Sequence, residues 1–203
     1  MKLYEHPSFP NPRRVRVFLA EKGVEVERVT IDVPAGEHRK APFTDKNPFA
    51  EIPALELDDG SCISETVAIS RYFEEQHPQP ALMGVGAEQK ARVEMWQRRV
   101  EGSLMNAVAS YFHHATPGLG ELETYQNPDW GQRCRDRALA TMKLLDDELA
   151  GREFVAGDEF SIADITALCA IDFAKAIEIA IPDGYDNLQR WHAAVSSRPS
   201  ASA

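Results

Sequence analysis

Residues 47–75, NPFAEIPALELDDGSCISETVAISRYFEE, specify the local structure of the first part of this chain. Ile52-Pro53 leads into a run that otherwise has the pattern of a strand. We expect strands at 54–57 and 61–63, and Asp58-Asp59-Gly60 between them is typical of a hairpin turn. Helical periodicity begins immediately afterwards, with an apolar stripe on one face.

The two ends of this segment offer different hydrogen-bonding groups. A proline cannot donate to a strand ladder, so the backbone of Ile52 is left free to pair with an extended peptide. Ser64-Glu65-Thr66 begins the helix, where free N–H groups and a partial positive charge favour a carboxylate. Glu65 can take an ammonium group. These features predict recognition of a peptide backbone and an amino-acid head group; an ordinary hairpin with a polar helix cap is the alternative.

The order of residues here resembles the glutathione-binding sequence of the cytosolic glutathione transferases, with its Asn-Pro, Ile-Pro, Asp-Gly and Glu-Thr pairs. The resemblance implies a cis Ile52-Pro53 bond whose backbone, beside Glu51, pairs with the cysteinyl part of glutathione. It also implies that Glu65 and Thr66 hold the γ-glutamyl end. The family more often has Gly where Ala50 stands.

A second glutathione-binding segment precedes this one, at Gly36-Glu37-His38-Arg39-Lys40. It is similar to a Gly-Glu-His-Lys segment of the plant phi-class enzymes, which holds the glycine carboxylate of glutathione. The resemblance implies His38 and Lys40 as ligand contacts, with Arg39 as a further candidate. The alternative is a solvated basic patch on the surface.

Composition and charge restrict the possible partners. The chain has 203 residues and a net charge of −10, which argues against nucleic acid or an anionic membrane surface. Residues 1–46 nevertheless hold nine Lys/Arg against seven Asp/Glu, whereas the rest of the chain holds 13 against 25. The net positive charge of residues 1–46 favours binding of an anionic small molecule such as glutathione in that region. A chance fluctuation is the alternative, because the charge difference is small.

The sequence predicts neither a membrane span nor a metal centre. No apolar run approaches the roughly 20 residues needed to cross a bilayer, and the N-terminus lacks the apolar core of a signal peptide. Cys62, Cys134 and Cys169 are widely separated, which argues against a disulfide framework, a zinc site or a dithiol redox centre. We therefore expect a cytoplasmic, reducing compartment and no bound cofactor, with glutathione as co-substrate.

Two domains of different class are predicted. Residues 1–77 alternate strand and helix in the thioredoxin-like α/β pattern, 78–86 form a Pro- and Gly-containing linker, and 87–203 predict an all-helical domain. The other expected elements are strands at 2–4 and 25–31 and helices at 12–22, 87–114, 132–149, 162–171 and 188–195.

Ser161-Ile-Ala-Asp164 has the pattern of a capping box, with Asp in place of Glu or Gln. We interpret Asp164 as structural, because satisfying the N–H groups at the helix start explains its presence. A catalytic acid is the alternative. The same motif in glutathione transferases is, by resemblance, a folding element.

The hydroxyl with which most glutathione transferases activate the thiol is missing. Phi-class enzymes have Ser-Pro-Asn where this chain has Phe9-Pro10-Asn11. Only the thiolate is a good nucleophile, and lowering a thiol pKa from about 8.5 by two units requires about 2.7 kcal/mol of preferential stabilisation. Three donors stay open: Ser8 after a shift of the loop, Asn11 or N–H groups at the helix start, and a water.

A further motif, Tyr111 to Gly120, bears on this choice. It resembles a segment of a fungal and bacterial branch of the superfamily that lacks the usual Tyr, Ser or Cys and activates the thiol through a water polarised by a His and a Ser. The resemblance implies His113 or His114, with Ser110, as catalytic candidates. A structural role is the alternative, because a helix dipole favours His at its C-terminus.

These observations together predict a glutathione transferase that conjugates glutathione to small hydrophobic electrophiles in detoxification, as a homodimer. The electrophile pocket is expected to include Phe9, Tyr111 and Phe112. A glutathione-dependent isomerase or dehalogenase is one alternative, although the Ser-Ser-Cys segment of zeta-type isomerases is absent. A non-catalytic glutathione-binding protein of the same fold is another.

Overall fold

The chain forms two units in a computed structural model that describes residues 1–203. The first unit is Met1–Pro80 together with Ser202–Ala203, and the second is Ala81–Ala201. The predicted linker contains the change from one unit to the other. The last two residues lie with the first unit, whereas the sequence had suggested that they belong to the helical domain.

The first unit is built on a four-stranded sheet with strand order β2-β1-β3-β4. Its strands are β1 (Lys2–Glu5), β2 (Glu27–Thr30), β3 (Ala54–Glu56) and β4 (Cys62–Ser64), and its helices are α1 (Pro10–Lys22), α2 (Phe43–Lys46) and α3 (Thr66–Gln76). β1 pairs in parallel with β2, whereas β1 with β3 and β3 with β4 are antiparallel. The thioredoxin-like prediction is confirmed.

α1 and α3 pack together and bury the core of this unit. α1 begins two residues earlier than predicted, because Pro10 and Pro12 both fit a first turn, where N–H groups need no helical partner. It ends as predicted at Gly23, whose φ of 65° is the left-handed conformation that glycine adopts readily. The fully buried side chains include Leu3, Phe18, Leu55, Ile69 and Phe73.

Two buried cations of α1 are paired. Arg16 pairs with Glu5 at the end of β1 and donates from Nη2 to the carbonyl oxygen of Pro7 at 2.7 Å. Lys22 pairs with Glu74 of α3 at 2.5 Å. Because removing one partner of a buried pair costs about 3–5 kcal/mol, these contacts hold the end of β1 and the last turns of α3 against α1.

The second unit contains helices and a single isolated bridge, which confirms the all-helical prediction. Its helices are α4 (Gly86–Val100), a π-helical segment (Glu101–Met105), α5 (Asn106–Ala115), α6 (Pro128–Leu149), α7 (Ile162–Ala176) and α8 (Asp186–Ser196). None of the helices combines the length and the apolar character of a membrane-spanning segment.

The single long helical segment predicted at 87–114 is present, because α4, the π-helical segment and α5 follow one another without a break. The sequence did not predict the π-helical turn within it. A π turn adds one residue to a helix, so the apolar stripe continues on nearly the same face and the pattern does not reveal it. Gly102, a poor helix former, lies inside the segment.

Asp164 is a structural residue at the start of α7. It is completely buried, and its Oδ1 accepts from the Val155 N–H at 2.8 Å and from Trp191 Nε1 at 2.9 Å. Its Oδ2 accepts from the N–H of Ser161 at 3.0 Å and from the hydroxyl of Ser161 at 2.9 Å. Burial raises the pKa of the Asp164 carboxyl, whereas these hydrogen bonds act in the opposite direction.

Candidate functional site

The start of α3 combines backbone strain with free polar groups. Glu65, the residue before the helix, has φ 71° and ψ 122°, and its side chain does not cap the helix. Such a conformation costs a non-glycine residue on the order of 1–3 kcal/mol. Neither the carboxylate of Glu65 nor the hydroxyl of Thr66 has a hydrogen-bond partner within the protein. An acid, a hydroxyl and helix-start N–H groups therefore stand together here.

The Ile52-Pro53 bond is cis, as the resemblance implies. Neither the N–H nor the C=O of Ile52 makes a hydrogen bond within the protein, although β3 begins two residues later. The preceding loop is ordered by the buried Asn47, which donates from Nδ2 to the Glu51 carbonyl at 2.7 Å and accepts from the Phe49 N–H at 3.2 Å. Ala50 has φ 57°, a left-handed conformation that glycine adopts more readily than alanine.

His38 lies in a short 3₁₀ turn, Glu37–Arg39, and is buried. Its Nδ1 has no hydrogen-bond partner. Burial, and to a lesser degree the charge of Arg39, lowers the pKa of His38. Arg39 and Lys40 beside it are exposed. Because buried polar atoms are normally hydrogen-bonded, the unpaired Nδ1 marks His38 as a candidate ligand contact.

The loop before α1 contains the remaining candidates of the first unit. Phe9 is the N-cap residue of α1, so that position offers no hydroxyl. Ser8 is exposed, and its N–H donates to His6 Nδ1 at 3.2 Å. Asn11 lies inside the first turn of α1 and accepts from Arg14 Nη1 at 3.2 Å. The amide nitrogen of Asn11 and the hydroxyl of Ser8 thus remain as side-chain donors.

The two candidate histidines at the end of α5 have different partners. His113 Nδ1 lies 2.6 Å from Oε1 of Glu123, whereas His114 Nδ1 accepts from the Asn127 N–H at 3.2 Å. A carboxylate partner places the proton of a neutral His113 on Nδ1 and leaves the lone pair on Nε2. The opposite tautomer holds for His114, whose Nε2 carries the proton. Only His113 therefore has an Nε2 that can accept a proton.

The other candidates of this segment are half-buried. Ser110 precedes the two histidines by three and four residues, so it shares a helix face with them. The Phe112 ring packs edge-on against Phe173 of α7, with centroids 5.4 Å apart. Tyr111, between Ser110 and Phe112, is half-buried as well.

Glu123 is a candidate residue that sequence reasoning missed. Besides His113 it contacts the backbone, where its Oε1 accepts from the Leu119 N–H at 2.9 Å. The bond closes the loop after α5, and a Cβ added at Gly118 would collide with the same oxygen. The one available signal was an acid shortly after the Gly-Leu-Gly turn at 118–120.

A thioredoxin-like unit followed by a helical unit, with unpaired polar groups before β3 and α3, defines a protein of the glutathione-binding class. Residues 1–75 match the family model of the glutathione S-transferase N-terminal domain. Residues 105–199 match the family model of the glutathione S-transferase C-terminal domain. The chain is 43% identical to glutathione S-transferase 2 of Saccharomyces cerevisiae, over 98% of this chain and 87% of that protein.

Two solved structures have the same fold over nearly the whole chain. A glutathione S-transferase domain-containing protein of Marinobacter aquaeolei has a TM-score of 0.96 and 48% identity, covering 98% of this chain and 99% of that one. Gtt2 of Saccharomyces cerevisiae has a TM-score of 0.96 and 43% identity, covering 98% of each chain. The chain belongs to the glutathione S-transferase family.

Proposed function

We propose that the protein is a glutathione transferase that joins the thiolate of glutathione to small hydrophobic electrophiles. The observation that carries this proposal is the unpaired N–H and C=O of Ile52 beside Pro53. An extended peptide can add there as a strand would, and the cysteinyl residue of glutathione has the N–H and C=O to do so. Membership of the family supports the proposal.

The charged ends of glutathione find complementary groups on the same unit. The ammonium group of the γ-glutamyl residue suits the Glu65 carboxylate, and its α-carboxylate suits the Thr66 hydroxyl and the N–H groups that begin α3. We assign the glycine carboxylate to His38 and Lys40, with Arg39 as a further contact. Glu51 lies beside the cysteinyl position.

We further propose that His113 is the base that removes the thiol proton, acting through a water. The proton moves from sulfur to the water and from the water to Nε2 of His113. Glu123 holds Nδ1 and so keeps the Nε2 lone pair available. His114 is the weaker candidate because its Nε2 carries a proton. Ser110 is a second group for orienting the water, whereas Ser8 and Asn11 remain alternative donors.

The electrophile and the biological setting complete the proposal. Phe9, Tyr111 and Phe112 supply apolar surface for a hydrophobic second substrate. We propose a cytoplasmic role in detoxification and a homodimeric state. Phe49, a residue that is 78% exposed, supports the proposed homodimer because it is a large apolar group on the surface of the single chain.

Turnover with a generic aryl halide tests the function, because a non-catalytic glutathione-binding protein binds glutathione without forming a conjugate. We expect His113→Ala to lower kcat on the order of 10²-fold with little change in the KM for glutathione. Glu123→Gln should lower kcat as well, since the amide no longer selects the His113 tautomer.

His192→Ala is a matched control. His192 Nε2 also pairs with a carboxylate, that of Asp172 at 2.8 Å, but it takes no part in the proposed site. The kcat of His192→Ala should equal that of the unsubstituted protein. An unchanged kcat in His113→Ala would exclude His113 as the base, and loss of turnover in Ser8→Ala would instead support a hydroxyl mechanism.

A further inference from the structure

His6 follows β1 directly, at the end of the sheet where β3 begins. The last pair between these antiparallel strands joins Tyr4 and Ala54. Two residues further along β1 and two residues back along β3, the same register places His6 opposite Ile52. The backbone of Ile52 makes the proposed contact with the cysteinyl residue of glutathione. His6 and the reacting end of glutathione therefore belong to the same end of the sheet.

The backbone around His6 is held firmly in place. The buried Arg16 pairs with Glu5 and donates to the Pro7 carbonyl, so the residues on both sides of His6 are anchored to α1. The carbonyl of His6 accepts from the Phe9 N–H at 3.2 Å, and the Phe9 ring packs edge-on against the imidazole with centroids 4.9 Å apart. A side chain supported in this way needs little rearrangement to act on a ligand.

The contacts of His6 also select its tautomer. Nδ1 accepts from the Ser8 N–H at 3.2 Å, so a neutral ring carries its proton on Nε2. Nε2 has no partner within the protein, and the side chain is half-buried. His6 thus presents one N–H donor from a fixed ring.

The start of α1 offers few backbone donors that could take this role. Pro10 and Pro12 have no N–H, and the N–H of Arg13 donates to the Phe9 carbonyl at 3.2 Å. Only the N–H of Asn11 remains among the first four helical positions. Because most helix starts have several free N–H groups, this one depends unusually on a side-chain donor.

We infer that His6 is a catalytic residue whose Nε2–H donates a hydrogen bond to the sulfur of glutathione as the thiolate forms. This inference rests on the proposed glutathione transferase function. The thiol proton leaves for the base, His6 keeps its own proton, and the hydrogen bond strengthens as negative charge develops on sulfur. A hydrogen bond to a charged acceptor is strong enough to lower the thiol pKa by about one to two units.

Two substitutions separate the donor from the structural role of His6. His6→Asn keeps an oxygen that can accept from the Ser8 N–H but removes the donor at Nε2. His6→Gln places an amide N–H near the position of Nε2. His77→Ala is the control, because His77 is an exposed histidine of the same unit at the end of α3.

The measurement is the ultraviolet absorbance of the thiolate, titrated against pH in the protein saturated with glutathione. We expect His6→Asn to raise the pKa of the bound thiol by about one to two units. His6→Gln should restore part of the difference, and His77→Ala should match the unsubstituted protein. Because kcat depends on the thiolate, turnover at neutral pH should fall about 10-fold or more in His6→Asn while the KM for glutathione changes little.

Calorimetry of glutathione binding distinguishes failure of this inference from failure of the proposed function. If His6→Asn binds glutathione and its bound thiol titrates as in the unsubstituted protein, His6 does not hold the thiolate, and the transferase function stands. If the unsubstituted protein binds no glutathione, the proposed function itself is wrong. Should His6→Asn not fold, a normal thiol titration and kcat in His6→Ala would overturn the inference equally.

Discussion

The starts of α3 and α7 carry the same kinds of side chain, a hydroxyl and an acid, but use them in opposite ways. At α7, Asp164 is completely buried and both of its oxygens accept hydrogen bonds, from Val155, Trp191 and Ser161. At α3, Glu65 is exposed, has a φ of 71° and caps nothing. One helix start is satisfied by the protein itself, and the other is not.

We interpret this difference as one between a folding element at α7 and the proposed binding element at α3. Where internal hydrogen bonds satisfy the polar groups, as at Asp164, the acid contributes to the stability of the folded chain. Where strain accompanies unsatisfied groups, as at Glu65, the conformation is disfavoured in the protein alone and must be maintained by the surrounding structure. We infer that Glu65 is kept in this conformation for its contact with a ligand.

The largest expected effect is that of Asp164→Ala on stability. The substitution leaves the Val155 N–H, Trp191 Nε1 and the Ser161 N–H buried without an acceptor, at about 1–3 kcal/mol each. We expect the free energy of unfolding to fall on the order of 4 kcal/mol in urea denaturation. Asp183→Ala, at an exposed acid, should change it by less than about 0.5 kcal/mol. A cost below about 1 kcal/mol at Asp164 would remove the contrast with α3.

Glu65→Gly should act in the opposite direction on stability. Relief of about 1–3 kcal/mol of strain exceeds the 0.5–1 kcal/mol cost of glycine flexibility, so we expect the free energy of unfolding to rise by about 1 kcal/mol. Glutathione affinity, measured by calorimetry, should fall by about 10-fold or more, because a hydrogen bond to a charged group is lost.

Ala50→Gly is the matched control for this substitution. Ala50 also has a positive φ, 57°, but contributes no side chain to the proposed site. We expect a similar gain in stability with glutathione affinity retained. If both variants bind glutathione as tightly as the unsubstituted protein, Glu65 is strained for a reason other than this ligand.

The sequence was sufficient for most elements of the first unit because their ends carry strong local signals. Gly23 ends α1 and Asp58-Asp59-Gly60 separates β3 from β4, as expected. The start of α1 was predicted two residues too late, because Pro10 and Pro12 suit a first turn equally well. The prediction of a cis bond before Pro53 came from the family resemblance. Only about 5–6% of X-Pro bonds in folded proteins are cis, and no local sequence pattern reveals them.

The partners of the candidate catalytic residues were harder to predict. The contact between His113 and Glu123 depends on how the loop after α5 turns back, and no periodic pattern describes such a loop. The role of His6 depends on the register between β1 and β3 and on Arg16, which anchors both neighbours of His6. These are tertiary contacts, so motifs indicated the region of the site but not its hydrogen-bond network.

The smallest expected effect concerns His38, another polar side chain that the protein leaves unsatisfied. Burial beside Arg39 lowers the pKa of His38, so the folded state favours the neutral ring and the unfolded chain binds the proton more readily. The resulting stability is present above about pH 6.5 and is lost as the pH falls from there through the lower pKa of the folded state. The slope is at most about 1.4 kcal/mol per pH unit.

Urea denaturation at a series of pH values, with His38→Gln and the exposed control His77→Ala, measures this contribution. The loss of stability below about pH 6.5 should be smaller in His38→Gln and unchanged in His77→Ala. Saturating glutathione should reduce the same pH dependence, because a carboxylate next to His38 favours the charged ring and opposes the effect of burial. A pH dependence that persists unaltered with glutathione bound would show that the glycine carboxylate lies elsewhere. In that case the unpaired Nδ1, unlike Glu65, would not mark a ligand contact.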